Sequence, residues 1–267
     1  LENRLGIALF LRRHRGVTLT DAGKRYYERL SKIFIQIEQA TKELEEQPID
    51  GPLNISAPHS FIRYWLMPRL GGLQALHPGL RISLSAESDL LRFRDGQADV
   101  GIRFGAGSYS HIHYEYLMED AVSVVAPGRA GSGGSHCMAE NLLKNKVLLE
   151  DSTLLASEPW SQWQTWFKNL GVDLRPSYPR VLFSDSGLVL AACVEGMGIC
   201  IGRFSLAHQL VLDKKVHAIM PWRRHEFAYY VVSNPARTND PRVVAFKTWL
   251  FEEAKKFQID SFKKQKI

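Results

Sequence analysis

Two short polar turns carry the residue types best suited to holding a small ligand. Pro58-His59-Ser60-Phe61 lies between a strand-like run and the helix it feeds, and Ser184-Asp185-Ser186-Gly187 repeats that arrangement farther along. The first turn of a helix leaves backbone N–H groups unpaired and carries the positive end of the helix dipole. Each turn therefore offers a seat for a carboxylate or phosphate. Ser60 adds a hydroxyl donor, or else it is a plain helix N-cap. Arg103 ends an apolar run ahead of Phe104-Gly105. Its guanidinium either forks onto a ligand carboxylate or pairs structurally with Asp95 or Asp99. Trp160, Trp163 and Trp166 recur at every third position and share one helical side. Trp163 and Trp166 suit a core; Trp160, nearer the helix start, suits a cleft. Tyr229 or Tyr230 reaches the same site from a late strand.

These groups bind; they do not assemble a reaction centre. His111-Ile112-His113 has no third ligand at motif spacing. Neither a GxSxG elbow nor a phosphate-binding P-loop occurs. No catalytic residue, metal or cofactor is expected, and the chain reads as a non-enzyme. The three cysteines (Cys137, Cys193, Cys200) are too few and too scattered for a disulfide scaffold, and read as small buried hydrophobes. The most apolar stretch, 181–202, is broken by Asp185 and Glu195, so it is not a membrane span. No export signal is visible at the start, and a cytoplasmic protein is expected.

The elements that must position these turns alternate. Strands are expected at 53–57, 80–86, 98–103, 116–127, 147–149, 181–183, 199–201 and 228–232. Helices are expected at 61–76 (interrupted by Pro68), 160–170, 187–196 and 240–257. Such alternation argues for α/β units on a mostly parallel sheet, with 45% hydrophobic residues to fill its core.

The first fifty residues have a different texture. The chain carries a net charge of +6. Within residues 1–25, six basic side chains (Arg4, Arg12, Arg13, Arg15, Lys24, Arg25) face two acidic ones, Glu2 and Asp21. Residues 12–16 look like a hairpin tip whose arginines suit phosphate contacts. Thr20 then offers a helix N-cap. Behind it Tyr26, Leu30, Ile33, Ile37, Ala40 and Leu44 fall four and three apart by turns. That two-per-heptad stripe is too narrow to bury on one chain and suits pairing with a second copy; packing on the following domain is the other solution. Pro48, Gly51 and Pro52 end the helix.

Leu5-Gly6, Leu9-Phe10, Arg12, Arg15, Leu19-Thr20 and Ala22-Gly23 together resemble the end of a LysR-type DNA-binding domain. The rest resembles that family's effector domain as far as about residue 256, through Ser60-Phe61, Trp65 to Leu70, His77-Pro78, Asp99 to Gly105, Phe183 to Ser186 and Gly196 to Ile199. The branch it looks most like holds the glycine-cleavage activator and the β-lactamase regulator. The resemblance implies an α/β fold of two Rossmann-like subdomains, as in type 2 periplasmic binding proteins, preceded by a winged helix-turn-helix remnant and a long linker helix. Residues 1–19 would be the wing, 20–50 the dimerisation helix and 51–267 the effector-binding domain. Subdomain I would take about 51–121 and 228–267, and subdomain II about 122–227, with crossovers near 121–125 and 227–231. The two polar turns would then face each other. An effector would lie at Ser60, Phe61, Arg103, Phe104, Trp160, Asp185, Ser186 and Tyr229, while Arg12, Arg13 and Arg15 would touch DNA. With Leu1 as its first residue, the chain is expected on that resemblance to lack the recognition helix that would read bases. The expected activity is therefore that of a DNA-binding regulator, a homodimer or homotetramer, which senses a small anionic metabolite. The alternatives are a solute-binding protein, which would carry an export signal and no heptad helix, and a truncated effector domain that no longer regulates.

Overall fold

The computed structural model describes residues 1–13, 16–27, 29–31, 33–34, 49–87, 97–107, 109, 112–128, 146–154, 159–169 and 178–264. It divides into two compact units, Leu1–Ile49 and Asp50–Ile267.

The first unit opens with a short helix, α1 (Glu2–Leu5), which ends at Gly6 in the left-handed region, φ 65°. Strands β1 (Phe10–Arg13) and β2 (Gly16–Leu19) pair antiparallel, with Phe10 opposite Leu19 and Arg13 opposite Gly16. The expected hairpin is thus present. Arg12 and Arg13 lie on β1, and Arg15 falls outside the described residues. Helix begins at residue 21. Thr20 caps it as expected: Gly23 N donates to Thr20 Oγ1 at 2.9 Å, and the same hydroxyl donates to Ala8 O at 2.8 Å. Gly23 has no room for a side chain, because a Cβ there would stand 2.1 Å from Leu9 O. Thr20→Ala is expected to cost about 1 kcal/mol locally. The Gly23 amide should then exchange with deuterium roughly fivefold faster; unchanged exchange would remove the cap's role. Of the heptad residues, Tyr26 and Leu30 are half-buried and Ile33 is 48% exposed. Ile37 and Leu44 lie outside the described residues.

The second unit is one sheet ordered β4-β3-β5-β11-β6-β9-β7-β8, with β10 added on β6. Its strands are β3 (Gly51–Ala57), β4 (Leu80–Ala86), β5 (Val100–Gly105), β6 (His113–Pro127), β7 (Leu148–Asp151), β8 (Arg180–Phe183), β9 (Ile199–Arg203), β10 (Val216–Ala218) and β11 (Arg223–Ser233). The outer pairs, β3 with β4 and β5 and β7 with β8 and β9, are parallel. Pairs that involve β6 or β11 are antiparallel. The parallel α/β expectation therefore holds at both ends of the sheet and gives way in the middle. There β6 and β11 each run through both halves: residues 228–233 of β11 lie on β5, and residues 122–125 of β6 lie on β9. Among the described residues these two central strands join the parallel groups at either end of the sheet.

The helices follow the apolar spacing, with two departures. The first helix, α2, is continuous: one turn (His59–Phe61), a π-turn (Ile62–Leu66), then Met67–Leu76. Pro68 does not interrupt it. Proline has no N–H to give the Tyr64 carbonyl, and a wider turn placed just ahead of it accommodates that loss. Arg69 Nη1 donates to Trp65 O at 2.7 Å, and its guanidinium lies 4.5 Å over the Trp65 ring. Helix α3 starts at Trp163 (Trp163–Asn169), not at Trp160, which sits in a 3-10 turn, Pro159–Ser161. Then come α4 (Ser186–Val194), α5 (Phe204–Leu212) and α6 (Pro241–Lys264). In the second half, Trp163, Trp166 and Phe167 fill one face of the sheet. Val189, Leu190, Cys193 and Leu206 fill the other. Cys193 and Cys200 are buried free thiols, and Cys137 lies outside the described residues.

Candidate functional site

The starts of α2 and α4 meet. His59 Nδ1 lies 3.0 Å from Asp185 Oδ1, and Tyr64 Oη donates to Gly187 O at 3.3 Å. A Cβ on Gly187 would be 3.2 Å from Ser60 Cα, so glycine is what allows this approach. Asp185 caps α4 by accepting from Gly187 N at 2.7 Å and Leu188 N at 3.3 Å. That places both helix N-termini, with their free N–H groups and positive dipole ends, in one place. Ser60 is not a cap; Pro58 holds that position without a side-chain bond. Ser60 Oγ instead accepts from Arg203 Nη2 at 3.1 Å.

Arg203 ends β9 and leads into α5, a third strand-to-helix junction beside the first two. It is 6% exposed and lies 4.3 Å over the Phe104 ring. Its charge acts on Asp120, a buried carboxylate on β6. Asp120 Oδ1 accepts from Ser205 N and Ala121 N at 2.9 Å each, and Oδ2 accepts from Ser205 Oγ at 2.6 Å. Burial raises the Asp120 pKa, and Arg203 with the Ser205 bonds pulls it back. Tyr229 Oη sits 3.2 Å from Ser205 Oγ, and burial pushes its phenol well above the usual range. The buried groups of β6, β9 and β11 thus form one network at the crossover.

The register of β11 on β6 jumps between Arg224 and Ala228, which face Ala121 and Glu119, so three β11 residues oppose Asp120. His225 and Phe227, two apart on β11, share one face of the strand. His225 stacks on Trp160 at 4.5 Å, and both lie within 6 Å of Phe104. Beside this aromatic group a pocket opens, enclosing about 480 Å³ with its open mouth included. Asp151, Leu154, Trp160, Ser186, Val189, Arg203 and Leu206 are among its walls. Burial first, then Arg203, lowers the His225 pKa from 6.5 to about 4. A lowered folded pKa means that the unfolded chain takes the proton first. Stability from neutral His225 is therefore complete above pH 6.5 and is lost as pH falls toward 4. Denaturation of His225→Gln across that range should show a shallower acid loss than the parent; equal slopes would refute it.

A family model, the LysR substrate binding domain, matches residues 46–255. The chain belongs to the LysR family. It is a LysR-type transcriptional regulator with an effector-binding domain. It is 28% identical over 256 residues to a glycine cleavage system transcriptional activator homolog of Haemophilus influenzae, covering 96% of this chain and 83% of that protein. It is similar to the effector domain of the transcriptional regulator AmpR of Pseudomonas aeruginosa, with a TM-score of 0.63 and 22% identity over 79% of this chain and 100% of that one. CrgA, a LysR-type regulator from Neisseria meningitidis, superposes with a TM-score of 0.61 at 19% identity, covering 95% of this chain and 86% of that one.

In this LysR-type regulator the residues expected at the cleft fall into three groups. Ser60, Asp185 and Ser186 come together at the meeting of the helices, and Trp160 lines the pocket. Phe61 and Tyr229 are wholly buried and pack on each other at 4.6 Å, with half-buried Phe104 4.9 Å from Tyr229. Arg103 is not among the pocket walls, and its pairing with Asp95 falls outside the described residues. It is 2% exposed and donates to Ser56 O, Ser56 Oγ and Ile102 O at 2.8–3.0 Å. Asp99 is taken by Asn54, whose backbone N lies at 2.8 Å, and Asp95 lies outside the described residues. From β5, beside β3, the Arg103 side chain reaches the Ser56 carbonyl. Arg203, Asp151, His225 and Asp120 were missed. For Arg203 a signal existed, since it follows the apolar run 199–202 as Ser184 follows 181–183. For His225 the signal was its place two and four residues before Phe227 and Tyr229, on the same strand face.

Proposed function

We propose that this regulator senses a small anionic metabolite in the pocket beside the joined α2 and α4 N-termini, and that occupancy changes how a homodimer or homotetramer contacts DNA. One observation carries this reading. The α4 N-terminus at Ser186 and the buried Arg203 guanidinium line one open pocket, and Arg203 bonds Ser60 at the α2 start beside it. A carboxylate or phosphate is the group such a set stabilises best. The effector-binding domain would be divided about as 51–121 with 228–267 and 122–227, hinging on β6 and β11. The effector must favour one arrangement of these halves over another, or nothing is transmitted. Arg12, Arg13 and Arg15 would supply phosphate contacts, and Tyr26, Leu30, Ile33, Ile37 and Leu44 the helix pairing. Among the described residues no helix is long and apolar enough to cross a membrane, which suits a cytoplasmic site of action.

The test is a thermal-shift screen of the protein against small carboxylates, amino acids and muropeptides. A ligand at a hundredfold excess over its Kd stabilises by about 2.7 kcal/mol. The shift should fall in Ser60→Ala and Ser186→Ala, with at least tenfold weaker binding. A ligand whose shift survives both substitutions binds elsewhere, and the cleft reading is lost.

A further inference from the structure

The pocket holds charges of both signs that form no ion pair among the described residues. Arg203 is nine-tenths buried, and its Nε–H has no acceptor. Its one hydrogen bond among the described residues runs to the neutral Ser60 hydroxyl, and Asp120 acts on it without an ion pair. Asp151, also on the pocket wall, receives only neutral donors among the described residues: Thr153 N at 2.9 Å, Thr153 Oγ1 at 2.6 Å and the Ser186 hydroxyl. The neighbouring Glu150 differs, being paired with Arg180 at 3.0 Å. Both Asp151 and Arg203 line the pocket, without an ion pair between them.

An enclosed N–H left unpaired costs free energy that a fitting acceptor returns. A simple monoanion would satisfy Arg203 but meet the Asp151 carboxylate across the pocket. A simple amine would satisfy Asp151 and meet Arg203. We infer that the ligand is a zwitterion of the amino-acid class, with its carboxylate on Arg203, its ammonium on Asp151 and its side chain against Leu154, Trp160 and Val189. This rests on the effector-cleft reading and specifies it: the anionic group belongs to a molecule that carries its own cation. Such a ligand answers both charges and leaves the net charge of the pocket unchanged.

The experiment is calorimetric titration of the full chain with glycine, alanine, valine, leucine and phenylalanine. Each is compared with the acid that lacks its amine and the amine that lacks its carboxyl, so that isocaproate and isoamylamine flank leucine. At least one amino acid should bind tenfold or more tightly than both of its partners. Asp151→Asn, which keeps the shape, should erase that preference and leave acid and zwitterion alike. Arg203→Lys should weaken both by tenfold or more; near-UV circular dichroism checks that the variants remain folded. Acids that bind the parent protein as well as zwitterions do would overturn the inference and leave the cleft standing. Silence of all three series would overturn it too, and the cleft would then be judged by the broader screen and the serine variants.

Discussion

Arg203→Met should lower stability by about 3 kcal/mol at pH 7.5 and abolish effector binding, with the stability loss shrinking on acidification. The magnitude follows from leaving a buried carboxylate without its compensating cation. Asp120 is wholly enclosed, and Arg203 is the leading opponent of the rise that burial causes in its pKa. A carboxyl with a raised folded pKa stabilises below its unfolded value, near 3.8, and loses that contribution as pH rises through the folded value. Without Arg203 that folded value climbs further, so more of the neutral range falls in the unfavourable window. His225 works in the same direction. Arg203 is the second cause that holds its pKa down, so the variant should suffer less from protonation near pH 5. Urea denaturation at pH 7.5 and pH 5 reads both effects. An equal deficit at the two pH values would show that Arg203 acts by packing on Phe104 and not by charge.

Gly187→Ala should separate the two helix starts. The added Cβ would stand 2.7 Å from Asp185 Oδ1 and 3.2 Å from Ser60 Cα. Either Asp185 gives up its cap, with the His59 bond, or α2 and α4 move apart. The stability cost is about 1–2 kcal/mol, from the cap and the crowding together. The larger effect is expected on the effector, with at least tenfold weaker binding, because the pocket wall at Ser186 moves with the turn. Gly71→Ala is the contrast. Gly71 lies within α2, and no atom stands within 4 Å of a Cβ there. Alanine should stabilise by about 0.5–1 kcal/mol through helix propensity, with binding unchanged. If Gly187→Ala binds effector as well as the parent, closure of these two turns is not part of sensing.

Much of this architecture was legible before any coordinates. The alternating strands and helices were visible because burial on one face leaves a period in the sequence. The buried Trp163 and Trp166 could be read from their spacing, and so could the polar turns at Ser60 and Ser186, since a strand running into a helix start is a local event. Thr20 was legible for the same reason: a cap bonds within its own turn, to Gly23 N. The arginines were not. Arg103 and Arg203 both end apolar runs, and nothing local separates them. Arg103 donates to Ser56, 47 residues earlier, while Arg203 reaches Ser60 across 143 residues. That three β11 residues oppose Asp120 belongs to the pairing and to neither strand alone.

The sequence by itself determined the elements, the caps and the two polar turns, because each follows from neighbours within a few positions. Only the tertiary structure decided which cation faces the pocket, which carboxylates stand opposite it and that the two turns touch. Those outcomes depend on side chains brought together from β6, β9 and β11, where each group takes whichever partner the packed sheet sets within about 3 Å.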